Sequence, residues 1–200
     1  PGTTAARFNL GTTSDALSSS ALASAGITPG QPYTIGGATF QMPQHNPDGT
    51  DNVIASGQTI EVPTNNGAPF VYLLAASTCK AVQASPTRAL TIKYTFDNGD
   101  GTTTTDTSDA PITAIPDWTS TPPAPTEGIP ATVPLSHTLI GTNTTGPAAR
   151  LYLLKFPVPT IHYDPQRGIS DPITAITLPR VGTTFTNQTC TAGTTQDGTQ

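Results

Sequence analysis

The 200-residue chain predicts an all-β fold, an antiparallel β-sandwich of jelly-roll type with one short helix near its N-terminus. Three observations carry this expectation. "ALTIKYTF" (residues 89–96) places Leu90, Ile92, Tyr94 and Phe96 on one face and Thr91, Lys93 and Thr95 on the other, the period-2 signature of a half-buried strand. "FVYLLAAS" (residues 70–77) is a continuous apolar run and reads as a central strand covered on both sides. Turn signals separate the strand-like runs, and convincing helical spacing occurs once.

That one place is "SDALSSSALASAGITPG" (residues 14–30). Ser14 or Asp15 serves as N-cap, Leu17, Ala21 and Ala25 form one stripe, Gly26 stops the helix and Pro29 lies beyond it. The reading is a helix of about three turns across the end of the sandwich. "YTIGGATFQM" (33–42) is a hairpin in which Gly36-Gly37 supplies the positive φ of a tight two-residue turn. In "DNVIASGQTIEV" (51–62), Val53 and Ala55, then Ile60 and Val62, flank Gly57 as two short strands about a turn, with Asp51-Asn52 capping the preceding loop. "FDNGDGTTTT" (96–105) is a second hairpin, cornered at Asn98-Gly99 or Asp100-Gly101. "STPPAPTEGIPATVP" (120–134) reads as a long surface loop within one domain. "RLYLLKFPV" (150–158) and "ITAITLP" (173–179) supply another pair of strands. Residues 1–190 are expected to form a single sandwich domain and residues 191–200 a flexible tail or linker.

Composition narrows the partners. Charged residues make up 10% of the chain, the net charge is −5, and the eight basic residues form no stripe. A nucleic-acid backbone and an anionic membrane surface are therefore poor partners. No apolar run approaches the ~20 residues of a spanning helix, and "PGTTAARFNL" lacks a basic-then-apolar leader, so any signal peptide is expected to have been removed. Few lysines, many Thr, Ser, Gly and Pro, and an acidic pI suit a secreted, extracellular protein. In that compartment Cys79 and Cys190, which fit no metal-ligand spacing, are expected to form a disulfide. The bond would close a loop of roughly 110 residues and stabilise by ~4–5 kcal/mol in the chain-entropy model. Two buried free thiols are the alternative.

Catalytic constellations are missing from the pattern. There is no Gly-x-Ser-x-Gly elbow, no His-Glu-x-x-His and no phosphate loop; His45, His137 and His162 stand apart in Pro- or Thr-rich surroundings. Glycoside hydrolysis needs two opposed carboxylates, yet the chain has only two glutamates, Glu61 and Glu127, and its aspartates sit mainly in turn-like contexts. The chain therefore reads as noncatalytic. Asp97, Asn98 and Asp100 in "DNGDGT", and Asn46, Asp48, Asp51 and Asn52 in "NPDGTDN", cluster oxygen donors of the kind calcium takes. Turn chemistry explains both clusters first, and a structural calcium at Asp97 and Asp100 is the alternative. Trp118, the only tryptophan, follows Asp117: an indole beside a carboxylate either stacks on a sugar or closes the end of the core. Tyr163, with His162, Asp164 and Arg167, is a second aromatic–polar cluster, either a shallow site or a set of surface pairs.

Taken in order, "ALASAGITPGQPYTIGGATFQMP", "DNVIASGQTIEV", "ALTIKYTFDNGDGTT", "PDWTS" and "ITAITLP" resemble a β-sandwich accessory domain of secreted bacterial proteins, often found beside glycoside hydrolase catalytic domains. The resemblance spans Phe8 to Pro179 and implies a noncatalytic module for which sugar binding is presumed. Its departures here are the lengthened turn "YTFDNGDGT" and the Pro-rich segment after Asp117-Trp118. The expected function is weak binding of a polysaccharide or other glycan through Trp118, Asp117 and Tyr163, serving a neighbouring catalytic domain in the same chain. A structural spacer without ligand and a cell-surface adhesion or protein-binding module are the alternatives.

Overall fold

The structure, a computed structural model, describes residues 4–10, 13–44, 53, 55, 57–65, 68–77, 85–98, 100–112, 114–121, 124–140, 144–159, 163–164 and 169–179. Its elements in chain order are β1 (Thr4–Leu10), β2 (Thr13–Ser18), α1 (Ser19–Ser24), β3 (Pro32–Ile35), β4 (Ala38–Gln41), β5 (Thr59–Asn65), β6 (Phe70–Ala75), β7 (Ser85–Asp97) and β8 (Thr103–Ile112). There follow β9 (Ala131–Leu135), β10 (Thr138–Ile140), β11 (Thr144–Thr145), β12 (Ala149–Pro157), β13 (Tyr163–Asp164), β14 (Ile169–Ser170) and β15 (Ile173–Thr177). All the strand pairings within the sheets are antiparallel, as the alternating patterns predict.

Two sheets make the sandwich. One has the order β5-β15-β7-β8 and the other β6-β12-β9. Between them lie Leu90, Ile92 and Tyr94 of β7, Ile173 and Ile176 of β15, and Tyr152, Leu154 and Phe156 of β12. The alternation read in "ALTIKYTF" is real: Leu90, Ile92 and Tyr94 are fully buried while Lys93 is exposed. On the outer face of the four-stranded sheet, threonine hydroxyls pair across strands, Thr59 with Thr177 at 2.8 Å and Thr95 with Thr174 at 3.2 Å. Pairs of this kind contribute a few tenths of a kcal/mol each and keep that face wet.

β12 is apolar on both sides, and the reason is a second core. Leu151 and Ala149 of β12, with Val133 and Leu135 of β9, face away from the sandwich into a cluster with Leu17, Ala21, Ile27 and Trp118. α1 and the β3–β4 hairpin cover this face. The hairpin turns at Gly36 (φ 54°) and Gly37 (φ 83°), as the Gly-Gly pair predicts. A Cβ on Gly36 would stand 2.6 Å from Leu153 Cδ2 and 3.3 Å from Ala131 Cβ, so the hairpin tip rests directly on β12 and β9.

Several expectations need correction. The helix spans six residues rather than three turns, because residues 13–18 are claimed by β2, which pairs with β1 and β10. Its N-cap is Ser18, whose Oγ accepts from the Ala21 amide at 3.4 Å, and neither Ser14 nor Asp15 caps it. Gly26, at φ 84°, follows the C-cap as foreseen. The segment read as a loop over 120–134 ends in β9, because Ala131–Leu135 pairs with β12. In 51–62 only the second strand, β5, is present among the described residues, and Val53 is exposed. Cys79, Cys190 and the 191–200 tail lie outside the described residues.

Two outcomes are expected. Gly37→Ala, with open space at its Cβ, should cost about 1–2 kcal/mol of left-handed strain; Gly36→Ala adds a further ~1–3 kcal/mol of overpacking against Leu153. Denaturant midpoints compare the two. The second outcome is alkaline lability. Burial raises the Tyr94 hydroxyl above its usual 10.0, with Asp171 and Asp106 adding to the shift against a hydrogen bond from Ser108; burial likewise raises Tyr152. A raised folded-state value means the neutral phenols stabilise the fold in full below pH 10.0, and that contribution is lost as pH climbs through the folded value. Thermal midpoints should fall above pH 10.0, less steeply in Tyr94→Phe.

Candidate functional site

The Asp117–Trp118 pair sits at a built corner. Ser77 and Asp117 form an isolated parallel bridge, with the Trp118 amide donating to the Ser77 carbonyl at 2.7 Å. The Asp117 carboxylate turns inward on its own chain, where Oδ1 accepts from the Thr119 amide at 2.9 Å and from the Thr119 hydroxyl. The Asp117 carbonyl accepts from the Ser120 amide at 2.9 Å and the Tyr152 hydroxyl at 3.0 Å, and Arg150 Nη1 donates to the Ser120 carbonyl. Trp118 is 5% exposed and packs in the second core. Its ring faces are covered by protein, so it presents no platform to a sugar; of the two readings of this indole, the structure has the core residue. The apolar ring is worth more to the core than to solvent, and the Asx turn holds it there.

The Asn98–Thr102 corner is also self-satisfied. Asp100 Oδ1 accepts from the Thr102 amide at 2.9 Å and from its hydroxyl, and these bonds hold the Asp100 carboxyl below its usual range. Asn98 Nδ2 donates to Thr102 Oγ1 and Thr104 Oγ1, each at 2.9 Å, and Gly101 takes φ 85°. The Asp97 side chain lies outside the described residues; among those described, no group of three or more His, Cys, Asp or Glu stands together to hold a metal. Tyr163 falls on β13, paired with Ser170 through the backbone, and its side chain, like His162 and Arg167, is outside the description. Asn46, Asp48, Asp51 and Asn52 are outside it as well.

Two arrangements were not visible in the sequence. His137 is brought to Ser18, 119 positions away: Nε2 lies 2.8 Å from Ser18 Oγ and 3.3 Å from Ser20 Oγ, while Nδ1 lies 3.0 Å from Ser136 Oγ. Ser18 Oγ also takes an amide of α1 and is fully buried, so the cluster clips the helix start to the β9–β10 corner instead of presenting a nucleophile.

The other arrangement is an aromatic–cation group on the outer face of β6 and β12. Phe70 and Tyr72 alternate with Val71 and Leu73 along β6, and only Val71 and Leu73 turn toward the sandwich core. Lys155 of β12 lies directly opposite Tyr72. On this outer face the hairpin tip rests over Leu153, and Lys155 stands two residues further on, ~7 Å at strand rise. There Phe70, Tyr72 and Lys155 are half-exposed. The Phe70 and Tyr72 ring centroids are 6.0 Å apart with their planes at 59°, and Lys155 Nζ sits 3.7 Å from the Phe70 centroid. Such a cation–π contact contributes about 0.5–1 kcal/mol when exposed and fixes the ammonium beside the rings. β6, read as a central strand covered on both sides, is instead an edge strand of its sheet among the described residues, and all six of its residues are half-buried.

With that geometry in place, comparison supplies a relationship. Residues 6–121 match the family described as the AziU2-like beta-sandwich domain, and the chain belongs to this family. No curated protein and no solved structure matches it.

The corner carries an expected outcome. Trp118 should emit at short wavelength and resist acrylamide quenching; Trp118→Ala should cost about 3–5 kcal/mol, and Asp117→Ala about 1–2 kcal/mol through the lost turn bonds, both read by chemical denaturation.

Proposed function

We propose that this β-sandwich is a noncatalytic module of a larger secreted protein, and that it holds polysaccharide on the outer face of β6 and β12. The observation that supports this reading is the half-exposed Phe70–Tyr72 pair, displayed on paired strands and not buried in a core. Aromatic faces of this kind suit the C–H faces of sugar rings, while the Tyr72 hydroxyl supplies a donor and acceptor at the rim. We place the ligand contacts at Phe70, Tyr72 and Lys155 in preference to the buried Trp118 and the turn-bonded Asp117, while the Tyr163 side chain lies outside the described residues.

The mechanism is one of effective concentration. A module that binds weakly and is joined to a catalytic domain keeps that domain near an insoluble or polymeric substrate. Rigid strands serve this purpose because little side-chain or loop ordering opposes binding. No covalent step is needed.

A structural spacer is the second reading, and the burial of Trp118 together with the self-satisfied Asp117 corner favours it. Retention on a panel of immobilised polysaccharides separates the two. Under the binding reading, at least one polymer retards the wild type. Tyr72→Ala then weakens retention by about 1 kcal/mol or more, roughly fivefold in Kd, while its far-ultraviolet circular dichroism is unchanged. If no polymer retards the wild type, the domain is a spacer; if a Phe70→Ala, Tyr72→Ala double variant is retarded as strongly as the wild type, the β6–β12 face is not the site.

A further inference from the structure

Resting on the polysaccharide reading, we infer that the Phe70–Tyr72–Lys155 face selects an acidic glycan, one whose sugar rings carry a carboxylate, with Lys155 as the specificity-determining residue. Three observations carry the inference. The first is local charge. In a chain of net charge −5, the three strands β6, β9 and β12 contain two cations, Arg150 and Lys155, and no Asp or Glu. Arg150 is committed to the Ser120 carbonyl, which leaves Lys155 as the cation these strands offer to a ligand.

The second is the state of that cation. Among the described residues Lys155 makes no ion pair, and its Nζ rests over the Phe70 ring. Glu127 neighbours Gly128, whose carbonyl accepts from the Lys155 amide at 3.0 Å, and yet it forms no ion pair with the lysine. An ammonium over a ring keeps its remaining donors directed outward, and it is the strongest available handle for a carboxylate.

The third is placement. Lys155 is the direct cross-strand partner of Tyr72, so cation and second ring are side by side on one face. A ring stacked at Tyr72 brings its substituents to the ammonium. Neutral sugars would use the aromatic faces alone and leave the cation unanswered. A uronate ring would use both, and the carboxylate that repels most of this acidic surface is met where the surface is locally cationic. At physiological ionic strength the Debye length of ≈ 8 Å confines the remaining negative charge to a weak background.

The test compares polygalacturonate, alginate and hyaluronate with the same polymers after their carboxyls are reduced to primary alcohols, so that ring stereochemistry is kept and only charge is lost. Affinity electrophoresis of the intact chain is the readout, with Lys155→Gln and Lys155→Arg as variants and circular dichroism as the fold control. The expected result is that one acidic polymer retards the wild type at least fivefold more than its reduced form. Lys155→Gln should abolish that preference and Lys155→Arg should keep it, and raising the salt from 50 to 500 mM should weaken retention. Equal retardation by the acidic and reduced forms overturns the acidic-ligand inference and leaves the polysaccharide reading standing. So does a preference that survives Lys155→Gln. Retardation by neither form overturns this inference, and the polysaccharide reading falls with it only if the wider panel of immobilised polysaccharides also fails to retard the wild type.

Discussion

The hydroxyl of Tyr152 reaches from one core to the backbone that frames the other, and the arrangement of layers depends on it. Its ring lies among the side chains between the two sheets, and its oxygen donates to the carbonyl of Asp117 at 3.0 Å. Within the stretch it fastens, Ile115 packs in the first core and Trp118 in the second. A chain that passes between layers has backbone polar groups to satisfy away from water, and each one left unmet costs about 1–3 kcal/mol. Tyr152, Arg150, Ser77 and the Asp117 side chain satisfy them together. At this corner two side chains from one face of β12, Arg150 and Tyr152, are spent on backbone.

From that constraint the unequal treatment of the β6-β12-β9 sheet follows. Its inner face meets a whole sheet, which buries Tyr152, Leu154 and Phe156 of β12 and half-buries Val71, Leu73 and Ala75 of β6. Among the described residues its outer face is met by a six-residue helix, a four-by-four hairpin and the Trp118 corner, and these cover the Leu151, Val133 and Leu74 region. Gly36 lets the hairpin tip lie on Leu153 without an intervening Cβ. Two residues further along β12 the side chains change from leucine to lysine on one strand and from leucine to tyrosine on the other. A purely apolar continuation would favour aggregation.

Much of the sandwich was legible because β7 obeys the simplest rule: one face buried, one face wet, period 2. Gly36-Gly37 was legible for an equally local reason, that few residue pairs accept positive φ twice. The helix was misjudged because Leu17 and Ala21 suit a helical stripe and a strand-to-helix junction equally well. What decided between them was pairing with Leu139 and Thr138, about 120 positions away, which no local pattern records. β6 was misread for a related reason. "FVYLLA" is apolar throughout, and a run of that kind states hydrophobicity without stating what covers each face. The usable signal was finer: aromatics at Phe70 and Tyr72, aliphatics at Val71 and Leu73.

The candidate site fared worse than the fold, for a reason that lies in how polar residues are read. Asp117, Asp100 and their neighbours attracted attention as carboxylates among turn residues, yet each accepts from its own chain two residues on. A carboxylate bonded in this way is occupied by the fold before any ligand arrives, and turn sequences select it for that purpose. Lys155 drew no notice, being a cation inside an otherwise apolar run of β12. An ammonium placed there without a carboxylate partner among the described residues is the more informative group, because a buried or half-buried strand offers it nothing to pair with. The aromatic ring beneath it lowers that cost without satisfying its hydrogen-bonding capacity. Under the proposed reading, Lys155, without a carboxylate partner among the described residues, is answered by an anionic ligand, and the rings beside it define what else that ligand must bring.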